Sequence, residues 1–549
     1  MSPLKFDVHA SSSEFAAARL GRLSISKADQ HGINQTGTKR VIETPGCFMN
    51  SIKGSVPHLT PDNLRLQDYG GISVFLEQIL QADQPASFSK WPSASSSGFT
   101  LSDFLHLQDL ILFCDLRDFS LFSPGSSKLG SNTDRHVLLS TLKGVRQLTL
   151  DEYLQIARQY RPDIMVSLTD HITETKEPGQ KRVRKSTDRT LKWLDQILLE
   201  RLGEDGRVED RRKEEEKKRK KDKKEKRRKM TKEQLQQQED EQDLESSIDV
   251  QPVTTEPWAD VAVFAHVQGS HYEEERIWSA EETAKRDGVD GFIVHANALT
   301  TTSSKDESLK FIQVSIESLP ALKPRLIYGI HTPEDVLKAV ALGADLFDTS
   351  YPYQLTEDGK ASLYYFGENP YPTATSPNLN DGSSNRWINL WDEEHKDKFV
   401  PILEGCECCA CKGGRHTRAY INHLLKAHEM LATVLLMSHN MYQYSKFFSA
   451  VRESIKAGTL EQYTMAFHDT FGVEPTRTGE KHPAQIAVET SLARRNQRLD
   501  GAEPSEVEAI GTDDKGLKRP KDTDETEVAK ESKKIKTAEP GTDIEQDTP

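Results

Sequence analysis

The stretch Gly405-Cys406-Glu407-Cys408-Cys409-Ala410-Cys411 decides how the rest of the chain is interpreted. It holds four of the six cysteines in a chain of 549 residues. Three thiolates spaced C-x-C-x2-C supply, with one imidazole, the ligands of a closed tetrahedral zinc site. A chain this poor in cysteine has no disulfide framework that would explain the cluster. The stretch therefore predicts a metal site, with a reactive or incidental cysteine cluster as the alternative.

The spacing leaves the ligand set open at two points. Cys406, Cys408 and Cys411 form the most compact set and would leave Cys409 spare, although using Cys409 in place of Cys408 keeps a similar geometry. Four histidines that could complete the set follow the cysteines, namely His416, His423, His428 and His439.

The segment after the cysteines has a helical pattern. Apolar residues recur every three and four positions over residues 418–437, which predicts one helix. His423 and His428 would lie on that helix as surface or packed residues. His439 would follow directly after the helix end, where its ring could turn back towards a preceding loop.

Strand-like and helix-like segments alternate along the chain. A strand and a turn followed by a second strand are expected before residue 48, and a further strand at 110–113. A helix at 150–160 should begin with the capping box Thr149-x-x-Glu152. A buried strand is expected at 163–168, followed by a helix whose apolar face includes Leu191 and Leu194. In the second half, predicted strands at 261–267, 291–295, 325–329 and 344–348 alternate with helices near 273–286, 306–317 and 333–341, and an irregular stretch follows.

This alternation is typical of parallel βα units. The predicted fold is of the α/β class, a TIM-like (β/α)8 barrel with an embedded zinc-binding subdomain. In such barrels the C-terminal strand ends carry the functional site. The residues expected there are Thr169, Asp170, Gln268, Gly269, His295 and Asp348.

The composition divides the chain. The hydrophobic content of 35% is low and the charged content of 29% is high. Large apolar residues are nearly missing from 203–250 and 500–549, so we expect a disordered charged insert and a disordered tail. The predicted domains are 1–202 and 251–400 for the two parts of the barrel, 203–250 for the insert, 401–475 for the zinc subdomain with closing helices, and 476–549 for the tail. An RNA-binding arm is the alternative interpretation of the insert.

Charge and hydropathy restrict the surroundings of the chain. The net charge of -14 means that any RNA contact must use a local basic patch. No run of eighteen apolar residues is present, which predicts no membrane span. Residues 1–18 lack the apolar core of a secretory signal, and the few cysteines fit a reducing compartment, so we expect a cytoplasmic protein. Basic clusters at 518–521 and 533–536 fit a nuclear import signal, but solvated charge is the simpler interpretation.

The cysteine stretch, the run Arg418-Ala419-Tyr420 and the pair His439-Asn440 together resemble the zinc-binding signature of the tRNA-guanine transglycosylases. In that family the histidine of the closing pair is the fourth ligand. The resemblance therefore implies one structural Zn²⁺ per chain, held by Cys406, Cys408, Cys411 and His439. The loop 412–417 is slightly longer than in bacterial members.

The family's catalytic motifs are only partly matched. Its Asp-Ser-Gly-Gly-Phe-Gln motif, which carries the general acid/base, has no counterpart beyond the weak matches at 97–99 and 114–118. Thr169, followed by Asp170, aligns with its base-recognising aspartate. Asp348 aligns with the nucleophilic aspartate, but the residues after it differ from the family's. The resemblance therefore implies no catalytic residue here, and Asp348 is a vestigial candidate only.

The segment 181–191 is closer to the accessory subunit of the eukaryotic enzyme than to its catalytic subunit. The resemblance implies a non-catalytic accessory subunit of a heterodimeric queuine tRNA-ribosyltransferase, which exchanges guanine for queuine at wobble position 34 of GUN anticodons. The implied partners are a catalytic subunit and tRNA, and the implied location is the cytoplasm, with association at the mitochondrial outer membrane. The alternatives are a catalytic transglycosylase that uses Asp348 as nucleophile, and a zinc-stabilised RNA-binding protein without a role in base exchange.

Overall fold

The computed structural model describes residues 3–9, 17–25, 40–80, 100–119, 132–141, 144–172, 178–202, 258, 260–296, 305–330, 332–368 and 386–472. The predictions of a disordered insert at 203–250 and a disordered tail, with its basic clusters, lie outside these residues. So does the weak motif match at 97–99. The domain boundaries stay predictions.

The N-terminal part forms a three-stranded antiparallel sheet instead of the two strands that we expected. Strand β2 lies in the middle and pairs with both neighbours. Residues 20–23, which lie in the stretch that we took for the turn, form part of β2, so one strand more is present than expected. The strands are β1 (Leu4–His9), β2 (Leu20–Ile25) and β3 (Arg40–Thr44).

Eight parallel strands close into a barrel, which confirms the predicted TIM-like fold. Each strand pairs with the next one in sequence, and the last pairs with the first through Phe347 and Cys47. The barrel strands are β4 (Gly46–Asn50), β5 (Gly71–Phe75), β6 (Ile111–Asp115), β9 (Ile164–Val166), β10 (Ala262–Val267), β11 (Gly291–His295), β12 (Arg325–Tyr328) and β13 (Leu346–Asp348).

Helices follow most barrel strands, and an antiparallel hairpin follows β6. The hairpin, which we did not predict, consists of β7 (His136–Thr141) and β8 (Gly144–Thr149). Three short helices are α1 (Pro61–Arg65), α2 (Leu76–Ile79) and α3 (Leu101–Phe104). The longer ones are α4 (Leu150–Tyr160), α5 (Gln180–Leu202), α6 (Glu273–Ala284), α7 (Lys305–Glu317), α8 (Pro333–Ala341) and α9 (Ser350–Glu357).

Local sequence signals explain several of these helices. Thr149 accepts from the backbone N–H of Glu152, and the Glu152 carboxylate accepts from the Thr149 N–H, so the predicted capping box is present. The stretch after Asp348 was expected to be irregular, yet it forms α9. Pro352 is compatible with this helix because it lies in the first turn of α9, where its missing N–H costs no helical hydrogen bond.

The N-terminal sheet closes one end of the barrel. Leu23 and Ile42 belong to the same apolar cluster as the barrel interior, which is filled by rings such as Phe113 and Phe264. Two ion pairs hold the sheet and its flanking chain at the N-terminal strand ends, namely Arg19–Asp345 at 2.6 Å and Arg40–Asp163 at 2.5 Å. The opposite end, where the strands finish, is the barrel mouth.

The C-terminal part differs from the prediction of one helix over 418–437. Two helices are present, with a break around His428, whose φ is 56°. The Glu429 N–H bonds back to the Leu424 carbonyl and thereby closes the end of the first helix. This part comprises β14 (Lys360–Ser362), β15 (Trp387–Asn389), α10 (Arg418–Lys426), α11 (Met430–Ala457) and α12 (Leu460–Phe471).

Candidate functional site

Four potential ligand atoms converge in the C-terminal part. They come from Cys406, Cys408, Cys411 and His439, and all lie within 4.8 Å of one another. The three sulfurs lie 3.4 to 3.8 Å from the His439 Nδ1 atom. Zinc bonds of about 2.3 Å to sulfur and about 2.0 Å to nitrogen in a tetrahedron place these atoms roughly 3.5 Å apart. The cluster therefore has the size and donor set of a metal centre and could hold a metal ion.

The surroundings of the cluster orient its ligand atoms. The other ring nitrogen of His439, Nε2, donates to the carbonyl of Ser362 at 2.8 Å, which leaves Nδ1 to face the sulfurs. The side-chain amide of Gln443 donates to the Cys406 sulfur at 3.2 Å. Hydrogen bonding among the thiols raises the pKa of Cys408, because three neighbouring sulfurs do not all ionise readily without a cation.

The structure separates the candidate ligands that spacing left open. Cys409 is exposed, whereas the other three cysteines are buried. His423 and His428 are exposed, and His416 is half-buried and stacks on a tyrosine. The expected position of His439 was wrong: it lies inside the long helix α11, not beyond a helix end, and points its ring inward from there. The predicted helix ended too early because the polar residues Ser438, His439 and Asn440 interrupt the apolar pattern, whereas the structure buries all three inside α11.

An apolar shell encloses the metal cluster. It forms a hydrophobic cluster of its own, separate from the main core, and its members come from both sides of the cysteine stretch. Removal of water from charged ligands strengthens their interaction with a cation. The shell includes Leu390, Trp391, Ile402, Ile421, Leu435 and Leu436.

Asn440, the neighbour of His439, joins the metal cluster to the barrel. Its Oδ1 accepts from the Ser362 N–H at 2.9 Å and from the Ser362 hydroxyl at 3.1 Å. Its Nδ2 donates to the Thr356 hydroxyl and the Lys360 carbonyl, both at 3.0 Å. The amide uses all its donors and acceptors. Because Thr356 lies on α9, the helix after the last barrel strand, the His439-Asn440 pair fixes that helix to α11.

The barrel mouth holds several of the predicted strand-end residues. Asp170 is fully buried and is bound by Arg189 at 2.5 Å, by Arg182 at 3.0 Å and by the Asn132 amide at 2.9 Å. Its carboxylate is therefore used within the protein. Thr169 is also buried and accepts from the side-chain amide of Gln268 at 2.6 Å. Gly269, which follows Gln268 in the chain, has a backbone φ of 134°.

Two further aspartates end barrel strands at the mouth. Asp348 ends β13 and accepts from the Ser350 N–H at 2.8 Å, as expected for a structural carboxylate at a strand end. Asp115 ends β6, accepts from the Leu116 N–H at 2.6 Å and receives the Tyr328 hydroxyl at 3.3 Å. Of the two weak motif matches, the structure thus places the second at a strand end.

Aromatic and histidine rings fill the space between these strand ends. His266 Nδ1 and His295 Nε2 lie 3.0 Å apart, and Phe119 packs against both rings. Burial lowers the pKa of His171 to about 3 and lowers that of His295 well below its usual value, so both are neutral at physiological pH. His295 was predicted from the sequence to lie at the C-terminal strand ends, whereas Phe119 and His171 were not. His266 was also missed, and its signal was a single polar residue in the otherwise apolar strand β10.

In the part of the chain that the structure describes, no helix is long and apolar enough to cross a membrane.

Comparison with known proteins identifies the family. The family model for queuine tRNA-ribosyltransferase matches residues 14–472. Among curated relatives, queuine tRNA-ribosyltransferase accessory subunit 2 of Danio rerio is 30% identical over 81% of this chain and 94% of its own length. The protein of the same name from Homo sapiens is 28% identical over 82% of this chain and 96% of its own length. That from Drosophila melanogaster is 28% identical over 77% and 85%. The chain therefore belongs to the queuine tRNA-ribosyltransferase family, and along most of its length it is similar to the accessory subunits 2 of that family.

Proposed function

We propose that this chain is the non-catalytic accessory subunit of a heterodimeric queuine tRNA-ribosyltransferase. The enzyme would exchange guanine at the wobble position of tRNA for queuine through a ribosyl-aspartate intermediate formed on its catalytic subunit. This chain would supply the second half of the dimer and part of the surface that docks tRNA. The names of the relatives support the accessory role, since all the proteins compared above are accessory subunits 2.

The observation that carries the non-catalytic assignment is the state of the carboxylates at the barrel mouth. Base exchange needs a nucleophile, a proton donor and a base-recognising carboxylate around one ribose. Thr169 stands where the resemblance places the recognising aspartate, and the adjacent Asp170 is bound by two arginines. Arg117 and Asp118 follow Leu116 where the family motif has paired glycines. Because catalytic groups act as a unit, loss of one commonly removes most of the rate.

The metal cluster also supports the proposal, because its expected role is structural. We assign Cys406, Cys408, Cys411 and His439 as ligands of one structural Zn²⁺, on the basis of the donor set and of the sulfur–nitrogen distances. Four protein ligands leave no coordination position for water, so zinc bound there would stabilise the fold and would not activate a nucleophile. The part of the chain around the metal cluster would therefore serve folding and association with the partner subunit.

An exposed apolar surface beside the metal cluster fits association with a partner subunit. Phe399 is 77% exposed, Val400 49% and Tyr420 40%. They lie together because the Arg418 N–H at the start of α10 bonds to the Val400 carbonyl at 2.8 Å. In the related homodimers the zinc region lies at the subunit contact, so we expect a pseudo-twofold version of that contact with the catalytic subunit.

An exchange assay tests the proposal. Labelled guanine and substrate tRNA are incubated with the purified chain, with the catalytic subunit, and with both together. Exchange only in the mixture, or strongly increased there, supports the accessory role. Exchange by the chain alone would instead support a catalytic transglycosylase. Binding of tRNA without any effect on exchange would support an RNA-binding protein of another kind.

A further inference from the structure

The barrel mouth holds more than altered catalytic groups, because one aromatic side chain occupies its centre. We propose that Phe119 plugs the mouth of this barrel, so that the chain excludes a planar base by steric closure in addition to lacking catalytic groups. Shortening Phe119 would then open a ring-sized site that accepts a planar nitrogen heterocycle. This inference rests on the proposed function in one respect, namely that the barrel of this subunit does not itself exchange bases.

The position of the Phe119 ring carries the proposal. The side chain is only 6% exposed although it follows the end of a barrel strand by four residues. Its ring centroid lies 4.7 Å from those of His171 and His295, 5.6 Å from that of His266 and 5.7 Å from that of Tyr328. These are the distances of closely packed aromatic pairs. The ring therefore contacts residues from four different barrel strands or the loops after them.

Phe119 also belongs to the core of the barrel. It is part of the apolar cluster that includes Phe113, Phe264 and Tyr328 inside the barrel. Phe113 and Phe264 pack edge to face with 5.7 Å between their centroids, below the level of the mouth. The Phe119 ring therefore extends the packed side chains of the barrel interior up to the C-terminal strand ends. In a TIM barrel the interior is a packed core, whereas ligands bind at this C-terminal end.

The chain segment directly before Phe119 is anchored to two neighbouring elements. The Leu116 carbonyl accepts from the Glu77 N–H at 3.0 Å, and the Asp118 N–H donates to the Glu77 carboxylate at 2.8 Å. Arg117, which is 5% exposed, donates to the Leu138 carbonyl of the hairpin. Phe119 therefore follows a segment anchored to α2 and to the hairpin, and the plug is part of the folded structure.

The residues around Phe119 decide which ligand could occupy the cavity that removal of its ring would leave. Neutral histidine side chains carry both a donor and an acceptor nitrogen. Burial keeps His171 and His295 neutral by lowering their pKa values, and both contact the Phe119 ring. A cavity left by the ring would thus be flat, aromatic and able to hydrogen-bond, which suits a small heterocycle such as imidazole. A cavity of about 500 Å³ that the structure also contains lies beside β5 and has none of these residues in its lining.

The experiment compares the full chain with Phe119→Ala and with a matched variant, Phe347→Ala. Phe347 is a buried ring on the last barrel strand, but it packs outward against Phe448. Imidazole is the probe in thermal unfolding. We expect a concentration-dependent rise of the unfolding temperature by a few degrees for Phe119→Ala only, because a ligand that binds the folded state stabilises it. An apolar cavity at Phe347 gives imidazole no hydrogen-bond partner.

Chemical labelling supplies a second measurement that does not need ligand affinity. Diethyl pyrocarbonate modifies accessible histidines, and mass spectrometry identifies them, with exposed His423 as the internal reference. In the wild-type chain, we expect His171, His266 and His295 to react at least about tenfold more slowly than His423, because buried side chains are exposed only when the structure opens locally. Their reaction should accelerate in Phe119→Ala, and also in Phe119→Leu, which serves if the alanine variant does not fold.

Two results would overturn the plug. The first is open histidines in the wild-type chain, seen when His171, His266 and His295 react as fast as His423 or when added guanine protects them from labelling. The other is a folded Phe119 variant that neither gains reactivity nor responds to imidazole. Both are binding or labelling results on the chain alone. Exchange of guanine by the chain alone would instead contradict the proposed function, so the two failures are distinguishable.

Discussion

The metal cluster and the barrel mouth are both buried groups of polar side chains, but their polar atoms are arranged differently. In the cluster, three sulfurs and one imidazole nitrogen point towards one common centre, while neighbouring groups bond only to the outer side of the ligands. In the mouth, the polar atoms bond to one another: Asp170 to arginines and His266 to His295. Polar atoms that converge on one point indicate a ligand site. Polar atoms that bond to one another indicate a polar core that needs no ligand.

The largest effect should follow from removing one converging atom. Cys408→Ala leaves three potential ligands, and we expect loss of the metal together with cooperative unfolding, since a structural zinc ion contributes on the order of 10 kcal/mol to folding. Metal analysis and thermal unfolding measure both. Cys409→Ala is the matched control and should keep metal and stability, because its side chain is exposed. Full metal content in Cys408→Ala would contradict the assignment, provided that the double variant at 408 and 409 also keeps it.

The second prediction separates the metal ligands from the residue that joins them to the barrel. Asn440→Ala should keep the metal but lower the free energy of unfolding by about 3 kcal/mol or more, because buried partners on Ser362, Thr356 and Lys360 lose their hydrogen bonds. Chemical denaturation measures the change. Ser445→Ala, on the same helix, loses one bond to the Asp68 carbonyl and should cost roughly 1 kcal/mol. An Asn440 variant that loses its metal would show that the link is part of the centre itself.

The third prediction concerns pH and tests whether the mouth is a closed core. Burial lowers the pKa of His171 to about 3, from 6.5 in an unfolded chain. Between these values the unfolded state binds the additional proton, so stability is present above pH 6.5 and is lost as pH falls towards 3. The loss attributable to this residue is about 1.4 kcal/mol per pH unit.

Denaturation of wild type and His171→Gln at pH 7 and at pH 5 measures it. The variant should lose less stability on acidification than the wild type does. Equal losses in the two proteins would mean that His171 is accessible to protons in the folded state, as in an open site.

The smallest effect is expected for Asp348. Its carboxylate accepts the Ser350 N–H, and the proposed reaction uses a nucleophile on the other subunit. Asp348→Asn should therefore change exchange by the reconstituted heterodimer by no more than about twofold. Substitution of the partner's nucleophile is the positive control and should abolish exchange. Loss of exchange in Asp348→Asn, with the partner intact, would reject the accessory role.

The contrast between the two regions also explains what the sequence could predict. The candidate cysteines are close in sequence, so their spacing already predicts a metal site and favours Cys406, Cys408 and Cys411, which the structure brings together, although it left Cys409 open as a substitute. Apolar patterns likewise predicted the strand Gly291–His295 and the helix Pro333–Ala341 with the bounds that the structure has. The break at His428 was missed because a histidine with positive φ has no local signature.

The mouth could not be assembled from local patterns. Phe119 meets His171, His266, His295 and Tyr328 only because barrel closure brings together strand ends that are far apart in sequence. Each of these residues, taken alone, fits an ordinary core position. The fourth proposed ligand has the same difficulty, since only the resemblance to a known family, and no spacing rule, selected His439 among four histidines.

The pairing of β13 with β4 has a consequence for how the protein is made. The Asn50 N–H bonds to the Thr349 hydroxyl across a separation of 299 positions in the chain, so the ring of strands cannot close until the second residue has left the ribosome. At about 5 to 20 residues per second, the first strand waits roughly 15 to 60 seconds with an unpaired edge. Such long-range contacts slow folding, and unpaired strand edges invite association with other chains. We therefore expect the nascent chain to depend on protection from association during this interval, and the cysteines at 406–411 emerge only after the barrel can close.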